Sequence, residues 1–133
     1  MIYKGMQKYA GILFMSKKTS RILMVLEDLK WTVPSFAREK SVVEDAGKII
    51  EHFYGKPARL VPVELYLSQD KGFEFSTYIC LVEEEFVPSS DQTFCWSTID
   101  VLPKGLHSGL KNTLTDKIIK TKIDTILLIG NSL

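Results

Sequence analysis

Hydrophobic positions fall in short blocks separated by polar turns, and the blocks change period along the chain. Residues 9–15 (YAGILFM) and 21–26 (RILMVL) are strand-like runs either side of the polar turn 16–20 (SKKTS), which predicts a hairpin without an Asn-Gly signature. Residues 31–33 form a short extended piece that stops at Pro34, and 35–40 read as a loop. The period then becomes helical over 41–55 (SVVEDAGKIIEHFYG). Ser41 with Glu44 three residues on is a capping box, Gly55 suits a left-handed position after the last turn, and Pro57 stops any continuation. Val43, Ala46, Ile50 and Tyr54 make one apolar face, whereas Asp45, Ile49, His52 and Phe53 make a mixed one.

The second half reads strand, strand, strand, helix. Residues 59–67 (RLVPVELYL) are strand-like, with Pro62 marking a break, a bulge or a sheet edge, and 68–72 (SQDKG) is a strong turn. Phe73–Val82 is the best strand, rich in aromatic and β-branched residues. Glu83, Glu84 and Glu85 end it, 88–91 is a loop, and 93–97 (TFCWS) is a short strand. A last helix is predicted from Ser108 or Gly109 to about Ile129, with Leu110, Leu114, Ile118, Ile126 and Ile129 at a helical period. A break near Thr115 and Asp116 is also compatible with the pattern, Thr115 then acting as a cap. This order predicts an α+β domain, layered α/β/α, spanning residues 1–133 as one unit.

Composition narrows the function classes more than it selects one. At 133 residues, 45% hydrophobic and 25% charged, the chain is of ordinary globular make-up. A net charge of +1 gives no case for nucleic acid or an anionic membrane as partner. Cys80 and Cys95 lack zinc-site spacing and suggest a reducing compartment, and the apolar run near the start is too short for a signal core or a span, so a cytoplasmic location is expected.

The order of elements, the capped helix ending in Gly55, and Trp31 and Pro34 upstream resemble the Nudix hydrolases, whose box is G-x5-E-x7-R-E-U-x-E-E-x-G-U with U bulky and apolar. Aligned on the final glycine, Gly55 matches, Ile50 takes the apolar position, Lys48 the arginine position, and Ala46 and Ser41 match small residues common there. The stretch 65–88, then Trp96, Leu102, Pro103 and 106–110 (LHSGL), is similar to the hairpin and tail of short Nudix proteins of phages and bacteria. The resemblance implies a mixed sheet flanked by helices, and a site where helix carboxylates hold Mg²⁺ or Mn²⁺ against a nucleoside diphosphate.

The sequence departs from that pattern where the chemistry would lie. The three glutamate positions hold Ile49, His52 and Phe53, the earlier glutamate is Lys40, and Ser35-Phe36 replaces the Gly-Gly after Pro34, in a loop about two residues short of the family pattern. Glu44 and Glu51 fall on other faces of the helix. Asp45 and His52 are on the right face but two turns, roughly 10 Å, apart. Three readings follow. One is a binding protein that has lost metal-dependent hydrolysis, expects no cofactor, and takes a nucleotide-like ligand or a protein partner. Another is an active pyrophosphohydrolase rebuilt from Asp45, His52 and a glutamate such as Glu85, using Mg²⁺. The third is an assembly or regulatory subunit of a phage or host complex. Phe36, Arg38 and Trp96 are candidate ligand contacts, with core packing the alternative for Trp96 as for Trp31. His52 and His107 also read as structural histidines, and the glutamate run as a solvated strand end.

Overall fold

The computed structural model describes residues 7–37, 42–55, 60–70, 73–89, 91–106 and 114–132; the side chains of residues 7, 42–46, 60–70, 73 and 130–132 lie outside the description. The strands are β1 (Gln7–Ser16), β2 (Ile22–Glu27), β3 (Lys30–Thr32), β4 (Ser35–Ala37), β5 (Leu60–Asp70), β6 (Phe73–Val82) and β7 (Phe94–Ser97). The helices are α1 (Val42–Tyr54), between β4 and β5, and α2 (Lys117–Ser132), after β7. Ser41, Lys40, Arg38, Pro57 and His107, which carry sequence expectations, lie outside the described residues.

All seven strands join one mixed sheet ordered β3-β2-β1-β6-β5, with β4 also on β1 and β7 also on β2. The predicted 9–15/21–26 hairpin forms, with Met15 opposite Ile22. β1 and β6 pair in parallel over their full length, from Gln7 with Phe73 to Ser16 with Val82, and the other pairings are antiparallel. Where β2 leaves β1, β3 takes its place beside β2 and β4 takes it beside β1. The amide of Ile12 donates to the Pro34 carbonyl at 2.8 Å between the two. Ser35–Ala37 is therefore a strand and not part of the predicted loop, a pairing that three residues without periodicity could not signal.

Because β1, β2 and β6 are covered on both faces, alternate residues enter two different cores. Leu13, Met15, Ile22, Met24, Val33 and Ile79 join Leu114, Ile119 and Ile123 on the α2 side. Ile12, Phe14, Leu23, Val25, Cys80 and Val82 join Ile50 and Phe53 on the α1 side. This is the expected α/β/α layering. Gly11 is part of the α2-side fit: a Cβ there would meet Val33 and Phe75 carbons at 2.9 Å.

Three sequence details are refined. Pro62 lies in a stretch of edge strand β5 where the register with β6 shifts between Leu60 and Glu64, so bulge and edge both hold, and the strand runs on through residues expected to turn. Gly55 takes the left-handed conformation at φ 79° and its amide donates to the Glu51 carbonyl at 2.9 Å. The last helix begins at Lys117: Asp116, rather than Thr115, caps it, its Oδ1 accepting from the amides of Ile118 at 2.8 Å and Ile119 at 3.2 Å. Its inward face is Ile119 and Ile123, with Ile126 and Leu127 behind, whereas Ile118 and Ile129, read as part of the apolar helical period, are 71% and 56% exposed. A helix starting at Lys117 turns Ile119, and not its neighbour Ile118, to the sheet.

Candidate functional site

The helix that resembles the box presents its C-terminal half to the α1-side core. Ile50 and Phe53 are buried there, 3% and 5% exposed, and Ile49 and Tyr54 are half-buried against the same cluster. The face expected to be mixed is thus apolar at Ile49 and Phe53, which turn inward with Ile50 to widen one apolar arc. His52 projects into solvent, with its ring edge-on to Phe53 at 5.2 Å. Asp45 lies in α1, its side chain outside the described residues.

Phe86, which sequence reasoning missed, is the hub of the packing around this helix end. Its ring lies 4.6 Å from Tyr54, 5.3 Å from Trp96 and 5.5 Å from Phe14, the last two contacts edge-to-face. Trp96 is half-buried in β7 and its indole N–H donates to the Phe86 carbonyl at 3.0 Å. Three residues later the Ser89 amide donates to the Phe53 carbonyl at 3.0 Å, so the segment after β6 covers the carboxyl end of α1. Phe36, in β4, is half-buried against the same cluster.

The glutamate run is engaged rather than simply solvated. Glu83 pairs with Lys17 at 3.0 Å and Glu84 with Lys18 at 3.2 Å, both glutamates largely exposed. Glu85 is 21% exposed and takes the Arg21 guanidinium with both oxygens, at 2.6 Å from Nε and 2.9 Å from the terminal nitrogen. The signal was in the sequence, since three bases in the first turn match three acids after β6, but the parallel β1–β6 pairing that joins them was not legible. Glu85 therefore faces a cation beside the hairpin turn, with both oxygens engaged there.

Divalent cations of the Mg²⁺ class need several oxygen ligands. Ile49 and Phe53 offer none, His52 offers nitrogen, and among the described residues no three His, Cys, Asp or Glu side chains converge to hold an ion. The described side chains of this helix do not fit such a metal. The thiols are not poised for chemistry either: burial pushes Cys80 up to about 12 and raises Cys95, and neither is in a disulfide. Among the described residues no helix is long and apolar enough to cross a membrane.

This mixed sheet between two helices is the fold of the Nudix hydrolases. A Nudix hydrolase from M. smegmatis superposes with a TM-score of 0.70 at 18% identity, over 93% of this chain and 89% of that one. The dihydroneopterin triphosphate pyrophosphohydrolase of E. coli gives 0.65 at 11%, over 88% and 99%. A C. elegans Ap4A hydrolase gives 0.64 at 12%, over 93% and 98%. At these identities the likeness is one of fold. No family model and no curated protein matches the sequence.

Proposed function

We propose that this Nudix-fold protein works by binding, without metal-dependent pyrophosphohydrolysis, and that its ligand is nucleotide-like. The observation that carries this reading is Phe53: at a position where the family resemblance implies a metal-binding glutamate, an aromatic ring is sunk in the α1-side core. An ionised carboxylate there would lose its water without gaining a partner, so the helix is built for packing at that point. Ile49, one turn back, supports the same reading. The nucleotide class is suggested by the neighbours in fold, whose names give Ap4A and dihydroneopterin triphosphate as what they act on.

Thermal-shift titration with ADP-ribose, dinucleoside polyphosphates and deoxynucleoside triphosphates, each with and without Mg²⁺ or Mn²⁺, tests this. A ligand of the native state raises the melting temperature by mass action. The expected result is a nucleotide-dependent rise that the metal does not alter, with the nucleotide recovered uncleaved. A rise that requires both nucleotide and metal, with turnover, would overturn the proposal in favour of a rebuilt enzyme. No rise across the panel would remove the nucleotide part of it.

A further inference from the structure

The outer face of α2 carries more apolar surface than the sheet uses. Ile118, Leu128 and Ile129 are 71%, 70% and 56% exposed on a helix whose other side is buried through Ile119 and Ile123. Ile118, Thr121, Thr125 and Ile129 recur at helical spacing, and a depression of about 480 Å³ along the first three is also lined by Lys117, Lys122 and Ile126. Ile126 joins the stripe to the core edge. Exposed apolar residues grouped in this way mark contact surfaces more often than scattered ones do.

Charge decides what kind of contact. Lys117 and Lys122 flank the stripe, and among the described residues neither has an ion-pair partner. Lys120, on the opposite flank, is already paired with Asp100 at 3.3 Å, and the Asp116 carboxylate is used as the helix cap. The stripe therefore presents apolar side chains between two uncompensated positive charges. We propose that it docks an acidic amphipathic helix of a partner protein, apolar residues against Ile118 and Ile129 and carboxylates against Lys117 and Lys122. From Ile118 to Ile129 the stripe is about 16 Å long, which matches a partner helix of about three turns. A second copy docking by the same stripe would bring four unpaired lysines into one contact. An interfacial membrane helix needs a lysine-rich polar face, and here Asp124 interrupts it.

The test uses the full chain and a fluorescent three-turn helical peptide of leucine and glutamate, beside its leucine and lysine counterpart, followed by anisotropy. The leucine–glutamate peptide binds saturably, and Ile118→Ser with Ile129→Ser weakens it about tenfold or more, as loss of central contacts does. The melting temperature of that double variant stays close to wild type because both side chains are exposed. Lys117→Glu with Lys122→Glu inverts the preference between the two peptides. No binding of the leucine–glutamate peptide, equal binding of both peptides, or binding unaffected by the serine variant would overturn the proposal. So would a concentration-dependent dimer that the serine variant abolishes, or recruitment to phosphatidylserine vesicles through the same residues.

Discussion

The two helices begin from the same kind of sequence signal and spend it differently. α1 directs its widest apolar arc, Ile49, Ile50, Phe53 and Tyr54, into one core and closes the end with Phe86 and Ser89. α2 buries Ile119 and Ile123 but leaves Ile118 and Ile129 in solvent beside two lysines. Ile49 and Phe53, at two of the positions the family resemblance would give to glutamates, are thus consumed by packing, while surface free for contact lies on the other side of the sheet. A helix taken into the core gains stability at the expense of the polar groups a metal site would need. The consequence is that the two faces should respond to substitution in opposite ways, α1 in stability and α2 in association.

The sharpest way to break this contrast is to put a carboxylate back. Phe53→Glu buries a charge without a partner and removes a core ring, and is expected to cost about 3–5 kcal/mol in urea unfolding. A variant as stable as wild type would show that α1 is not a packing element there. Phe86→Ala comes next, at about 2–3 kcal/mol, because a half-buried ring loses its contacts with Phe14, Tyr54 and Trp96; the Trp96 fluorescence should shift with it. Arg21→Ala is expected to cost about 1 kcal/mol, since the bidentate pair with Glu85 is partly screened by solvent. A double-mutant cycle with Glu85→Ala isolates that coupling, and additivity within error would remove the ion pair from the account.

The smallest effect at neutral pH concerns Cys80. Its thiol titrates near 12 in the folded chain against 9.0 ordinarily, because burial disfavours the thiolate. The unfolded state therefore loses its proton first as pH rises above about 9, and stability falls from there toward pH 12. The stabilising difference is fully present below the unfolded value. Cys80→Ala should flatten that part of the stability–pH curve, and at neutral pH Cys95 should react with a thiol reagent before Cys80 does. Equal reactivity would mean that the α1-side core opens readily.

Much of the fold was legible because its strands are long and its turns are polar. Phe73–Val82 matches its predicted bounds, Gly55 takes its terminal conformation, and both helices exist where the period changes. What escaped was whatever depends on non-local pairing. Ser35–Ala37 is a strand only because β1 has an open edge beside it. The choice of Ile119 over Ile118 depends on where Asp116 starts the helix. At the site, the identity of the residues at the aligned box positions was plain in the sequence, but the burial of Phe53, the hub position of Phe86 and the capture of Glu85 by Arg21 all require the two ends of the chain's first half and second half to meet in space. Trp96 illustrates both sides: its strand was read correctly, and its indole N–H is held by a carbonyl that only the folded chain brings near.

The most direct test of the central claim is a Mn²⁺ titration followed by amide NMR signals of α1. Bound paramagnetic ion broadens nearby resonances selectively. The account predicts that Ile49, His52 and Phe53 broaden no more than exposed residues elsewhere, with or without nucleotide. Selective loss of those signals at low Mn²⁺ would place an ion on the helix face described here as apolar and would contradict the account.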